Sequence, residues 1–229
     1  QIIMRETVAF LKELAANNNK LWFDDNRARY RVLRNRFEEF TAELIDGIGT
    51  FDAEVRGLTP KDCIFRINRD TRFSNDKSPY KTHFSTYICP HGKKSGYAGY
   101  YFHVEPEGDG MIGHSLLAAG AVCIPPIVLK SIREEILDNG DQMLESIAAA
   151  KGFAISRYSS LKRTPTGFPT GTPYDELLRL KDVCLERTMS EEELYDTNLI
   201  AKTLEEYRTT QPFLAQVNRA IQYAYEEMM

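Results

Sequence analysis

Apolar residues recur at helical spacing at both ends of this chain and at strand spacing in its middle. From Glu6 to Asn17, Val8, Leu11, Leu14 and Ala15 fall on one face of a predicted helix. Asn17, Asn18 and Asn19 end it, because asparagine tolerates the left-handed conformation and its side chain competes for backbone hydrogen bonds. Trp22 and Phe23 are placed to act as a hydrophobic staple ahead of a helix capped by Asp24 or Asp25. The clearest helical period follows: Tyr30, Leu33, Phe37, Phe40, Leu44, Ile45 and Ile48, with Gly47 and Gly49 marking the end.

The period then changes to two. Cys63, Phe65 and Ile67 alternate with Ile64, Arg66 and Asn68, which predicts a half-buried strand. A loop from Arg69 to Ser78 ends at Pro79. Phe84, Thr86 and Ile88 alternate with His83, Ser85 and Tyr87, predicting a second strand. A third puts Tyr100, Phe102 and Val104 on one face and Tyr101, His103 and Glu105 on the other. The run Glu107-Gly108-Asp109-Gly110 signals a hairpin turn, and a fourth strand is predicted from Met111 to Leu117. Short connections between successive strands imply antiparallel pairing.

Helical spacing returns at Ile127, Leu129, Ile132, Ile136 and Leu137 after Pro125-Pro126, and again at Met143, Leu144 and Ile147. Residues 153–172 read as irregular, Tyr174 to Lys181 as helical and Val183 to Arg187 as a short strand. Ser190 and Glu193 form a capping box. A last long helix is predicted to start near Thr210 and Pro212 and to run through Phe213, Val217, Ile221 and Tyr225. The fold class is therefore α+β: an antiparallel β-meander in the middle of the chain, covered by N-terminal and C-terminal helices. Residues 1–229 read as one domain, with N-terminal helices over about 5–49, a strand-rich middle over about 62–117 and a helical part over about 125–229.

Composition narrows the function classes. The 229 residues carry a formal net charge of −4, which argues against a general nucleic-acid binder. No apolar run approaches the ~20 residues of a membrane span, and Arg5, Glu6, Lys12 and Glu13 break up the first residues in the manner of a helix rather than a secretory signal. Cys63, Cys89, Cys123 and Cys184 are far apart, without the close pairs of a zinc site or the density of a disulfide framework. Reduced thiols in a cytoplasmic protein are the expectation.

The charge is unevenly distributed. Between Arg66 and Lys81 stand five bases (Arg66, Arg69, Arg72, Lys77, Lys81) and two acids (Asp70, Asp76), an excess of three positive charges in an acidic chain. Arginine suits bidentate recognition of phosphate or carboxylate, and lysine adds a point charge beside it. The alternative is a structural network in which Asp70 and Asp76 neutralise the bases and pin the loop. A second basic group, Arg157, Lys162 and Arg163, reads as a solvated loop that could fold back onto the first. All four histidines, His83, His91, His103 and His114, fall in the strand-rich middle. Imidazole and carboxylate on adjacent strands can hold a metal, but no HxH or HxxxH spacing occurs, so no metal site is expected and no cofactor is identified. P-loop, GxSxG and HExxH signatures are absent.

The stretches FLKELAANNNKLWFDDNRARY, FRINRDTRFSNDKSPYKTH, GYYFHVEP, LKRTPTGF and LLRLKD, in that order, resemble the widespread bacterial domain-of-unknown-function family 2461 from Phe10 to about Tyr225. Arg66, Arg69, Asp70, Arg72, Phe73, Lys77, Pro79, Tyr80 and Lys81 match its most specific block. The resemblance implies one cytosolic α+β unit and brings no activity with it. The leading expectation is a site for a small anionic ligand built from Arg66, Arg69, Arg72, Lys77, Tyr80 and Lys81, with Asp70 or His103 as candidate base if the site is catalytic. A non-enzymatic interaction or scaffold protein is the alternative, and nucleic-acid binding a third.

Overall fold

The computed structural model describes residues 2–229, with side chains from residue 4 onward. Helix α1 (Ile2–Ala16) ends at the asparagine run, and Asn19 caps a short α2 (Lys20–Asp25) by accepting from the Trp22 N–H. The pair Trp22-Phe23 thus lies inside a helix. The long α3 (Arg27–Ile48) buries Leu33, Phe37, Phe40, Leu44, Ile45 and Ile48, the face its period predicts.

The predicted strand at Cys63–Ile67 is not formed. Thr59 and Asp62 make a capping box, Pro60 occupies the first turn, and the one-turn helix α4 (Pro60–Cys63) results. Beyond it the chain runs along the sheet edge with isolated bridges Ile64–Thr86 and Asn68–Tyr80. The backbone bonds Phe65 N–H to Ser85 O, Arg69 N–H to Pro79 O and Lys81 N–H to Ile67 O clip residues 64–81 onto that edge as a closed excursion.

Five strands follow: β1 (Phe84–Ile88), β2 (Gly99–Val104), β3 (Ser115–Ala121), β4 (Ala154–Ile155) and β5 (Val183–Met189). They form one antiparallel sheet in the order β1-β2-β3-β5-β4. The predicted fourth strand starts four residues late. Gly108 and Gly113 adopt positive φ, and the N–H groups of Ile112 and Gly113 bond the Glu105 carboxylate, so residues 106–114 close as a turn. Helices α5 (Pro126–Asp138), α6 (Gly140–Ala149) and α7 (Asp175–Leu178) fill the crossover, and the Ser190–Glu193 capping box starts α8 (Glu191–Leu194).

The last helix, α9 (Leu199–Glu227), begins eleven residues before Thr210 and carries Pro212 in its interior. A buried face of Leu199, Thr203 and Tyr207 continues into Phe213, Val217 and Ile221. That burial outweighs the backbone bond that proline removes.

The pleat separates two environments. Phe84, Phe102 and Leu117 face the helices, where Phe37 meets Phe84 at 5.5 Å, Phe40 meets Phe102 at 4.8 Å and Tyr207 meets Tyr100 at 5.2 Å between ring centroids. The opposite face is built from cross-strand rows. Ser85, His103 and Leu116 form one, and Tyr87, Tyr101, Ala118 and Glu186 the next. Leu116, Ala118 and Cys184, with Tyr101 against them, make a small apolar cluster separate from the main core. No described helix is long and apolar enough to cross a membrane.

Candidate functional site: two hollows meeting at Lys81 and His83

The excursion 66–81 spends most of its charge on itself. Arg72 donates from Nε and Nη2 to the two carboxylate oxygens of Asp70, at 2.9 and 2.6 Å. Asp70 also accepts the Arg72 backbone N–H, and these bonds hold its carboxyl below the usual range. Lys77 donates to Thr71 O at 2.8 Å. Arg69 Nη1 donates to Ser78 O at 2.8 Å and Asp76 O at 3.2 Å, and pairs with the Asp76 carboxylate. Arg66 is exposed. Of the six residues expected to hold a ligand, Arg69, Tyr80 and Lys81 border a cavity, and Arg66, Arg72 and Lys77 do not. Asp70, one of the two candidate bases, borders neither hollow and is tied to Arg72.

Tyr80 is fixed from the N-terminal helices. Its ring stacks on Phe23 at 4.0 Å, and Asn18 pairs with its backbone in both directions, Asn18 Nδ2 donating to Tyr80 O at 2.9 Å and Tyr80 N–H donating to Asn18 Oδ1 at 3.1 Å. The side-chain amide thus completes a strand-like pair, and the start of the chain sets where Lys81 emerges. Arg69→Ala is expected to free the outer loop. Losing its bonds to two carbonyls should lower stability by about 1–2 kcal/mol, and limited proteolysis should cut within residues 70–78 faster than in the parent.

Two hollows flank the return strand. A cleft of about 730 Å³ lies between α1, the excursion and the 105–111 turn. It mixes Lys12, Arg69 and Lys81 with Asp76, Glu105, Glu107 and Asp109. The second, about 470 Å³, lies on the sheet face turned away from the helices. Tyr101, Leu116 and Ala118 line it, with Met111 and Ile112 from the turn, and Lys81 and Lys93 face one acid, Glu186. Lys81 and His83 border both.

Lys81 donates to Arg66 O at 2.7 Å and forms no ion pair among the described residues. Burial pushes its pKa down, and the positive charges of Arg66 and Arg34 push in the same direction. His83 is driven down to about 3 by burial, reinforced by His103 and opposed by Glu105, so it is neutral near pH 7.

Behind Lys81 stands a buried polar row. His83, His103 and Glu105 are 6%, 0% and 0% exposed. The β1–β2 register pairs Ser85 with His103 and Phe84 with Val104, so its continuation sets His83 opposite Glu105. His103 Nε2 lies 3.0 Å from Glu105 Oε1, and Tyr101 Oη 2.7 Å from His103 Nδ1. An ionised carboxylate only accepts, so Nε2 carries a proton in this arrangement, and in the neutral ring Nδ1 then accepts from the tyrosine. Glu105 Oε2 collects the N–H groups of Ile112 and Gly113. Burial raises the Glu105 pKa, but the bonds from His103, Gly113 and Ile112 outweigh it and hold the carboxyl below its usual range. A Cβ on Gly110 would collide with that carboxylate, so the glycine is what allows the turn to close over it. As a candidate base, His103 has both nitrogens engaged, and Tyr101 stands between it and the free-face cavity.

The second basic group does not join the site. Arg157 pairs with Glu176 at 2.9 Å, and neither it nor Lys162 nor Arg163 borders the two hollows. Lys93, Leu116, Ala118 and Cys184 are additions the linear pattern did not single out.

Fold and site together define an α+β protein with a ligand-sized hollow on the free face of an antiparallel sheet. The family model described as conserved hypothetical protein (DUF2461) matches residues 6–215, and the chain belongs to that family. No curated protein and no solved structure matches it.

Proposed function

We propose that the protein binds a small organic anion in the cavity on the free face of the sheet. Lys81 meets the carboxylate or phosphate group, and Tyr101, Leu116, Ala118 and Met111 contact an apolar body. The observation that carries this reading is Lys81 itself, a half-buried ammonium with two guanidinium groups acting on it and no carboxylate partner among the described residues. Such a group gains from an anion, because the charge-assisted bond replaces lost hydration. The rest of the cavity is mostly apolar with few polar groups, the usual make-up of a small-molecule site.

This reading narrows the ligand-binding loop to its return limb. The Asp70–Arg72 and Arg69–Asp76 pairs support a structural role for the outer part. The concave, mostly apolar lining of the cavity supports a small ligand over nucleic acid, and the four free cysteines support a reducing, cytoplasmic setting. A thermal-shift screen of carboxylates and phosphates with apolar or aromatic bodies tests it. A member of that set should raise the melting temperature in proportion to the logarithm of its concentration. Inorganic phosphate alone should do so weakly, and a flat screen would refute the reading.

A further inference from the structure

We infer that His83, His103 and Glu105 form a binding site for a divalent first-row transition ion such as Zn²⁺ or Fe²⁺, open toward the cleft.

The donor set is two imidazoles and one carboxylate, whose ligand atoms all lie within 4.8 Å of one another. Ligands of one tetrahedral ion held at ~2.0 Å are about 3.3 Å apart. Glu105 Oε1 lies 3.0 Å from His103 Nε2 and 3.8 Å from His83 Nδ1, so small side-chain rotations would bring the three to one centre. An independent sign is that His83 Nδ1 is buried and has no hydrogen-bond partner. A buried ring nitrogen without a partner is costly, and a metal ion would satisfy it.

The outer supports of a metal site are also present. Metal-ligating histidines are oriented through the second ring nitrogen, and His103 Nδ1 faces the Tyr101 hydroxyl. On metal binding the proton leaves Nε2 for solvent and Nδ1 takes one up from solvent, a tautomer change with no net proton gained or lost by the ring; Nδ1 then donates to Tyr101, and the bond reverses direction without moving the ring. Glu105 Oε2 is anchored by two backbone N–H groups, which leaves Oε1 for the ion. Three protein ligands with an open side are the pattern of a site that keeps positions for water or substrate. His83 and Glu105 both border the 730 Å³ cleft, which supplies that open side. Lys81 beside the ion leaves the site cationic, and an anion bridging metal and ammonium would satisfy both.

The test is a titration of metal-free, untagged protein with Co²⁺, read by visible absorption, and with Zn²⁺, read by calorimetry. Wild-type protein should bind one ion saturably. His83→Ala and Glu105→Gln should each weaken binding by at least about 100-fold, the upper end of what losing one outer partner costs. X-ray absorption of the Zn²⁺ form should show two imidazoles in the coordination shell, a readout that needs no variant to fold. Absence of saturable binding, wild-type affinity in both variants, or a shell without imidazole would overturn the inference. The titration contains no organic anion, so its failure leaves the Lys81 reading standing, and a failed anion screen leaves this one standing.

Discussion

Lys81→Met should reduce the affinity for the organic anion by about 10- to 100-fold, equivalent to the ~1.5–3 kcal/mol of a charge-assisted hydrogen bond, while the fold is retained. Methionine keeps the length and apolar stem of lysine and removes only the charge. What is given up within the protein is the bond to Arg66 O and a cation–π contact with the Phe65 ring at 5.7 Å, both on an edge segment. The neighbouring cations Arg66 and Arg34 would no longer repel a third charge, so the unliganded variant should melt at or slightly above the parent temperature. Affinity falling while stability holds is the mark of a residue kept for a ligand. Had Lys81 been structural, like Arg69 with its two carbonyls and Asp76, stability would fall instead.

Glu105→Ala should have the largest effect on stability, a loss of about 3 kcal/mol. Three donors lose their acceptor: His103 Nε2–H and the N–H groups of Ile112 and Gly113. A buried donor left unpaired costs about 1–3 kcal/mol; that applies in full to His103, while the partly buried N–H groups of Ile112 and Gly113 recover part of it from water. For a chain of this length that is a fall of about 6–12 °C in melting temperature. Hydrogen exchange should accelerate in residues 106–114, whose turn the carboxylate closes. Glu105→Gln offers an oxygen to the same backbone donors and should cost much less. Equal melting temperatures for the alanine and glutamine variants would show that the carboxylate does not organise the turn.

Most of the fold was legible in the sequence because it rests on local periodicity. The face of α3, the parity of β1 and β2, and the Ser190–Glu193 capping box depend on residues a few positions apart. Three elements were misread where a short signal competed with a longer one. Thr59-Pro60 and Asp62 turned Cys63 into the end of a helix, although residues 63–67 alternate. The acceptor capacity of Glu105 held Ile112 and Gly113 in a turn, although Met111–Leu117 could form a strand. Pro212 reads as a helix start, but the buried face from Leu199 to Tyr207 carries α9 through it.

The site was legible in part for the same reason. Strand parity put His103 and Glu105 on one face, and charge density pointed to the 66–81 segment. Which of its bases pair locally was also in reach, since an aspartate two residues before Arg72 invites the Asx-type turn it makes. Juxtapositions that depend on register were not. His83 lies twenty-two residues from Glu105, and no fixed spacing marks two ligands on neighbouring strands. Cys184 joins Leu116, Ala118 and Tyr101 only because β5 returns beside β3 after a long helical crossover.

The most direct test of the central claim is calorimetric titration of the best organic anion from the screen into wild type, Lys81→Met and Ala118→Phe. Ala118 lies on the floor of the free-face cavity, and a phenyl group there fills space the ligand body needs. Wild type should show one site, Lys81→Met about 10- to 100-fold weaker binding, and a folded Ala118→Phe no measurable binding. Wild-type affinity in Ala118→Phe would contradict the claim, because the anion would then sit somewhere other than the free face of the sheet.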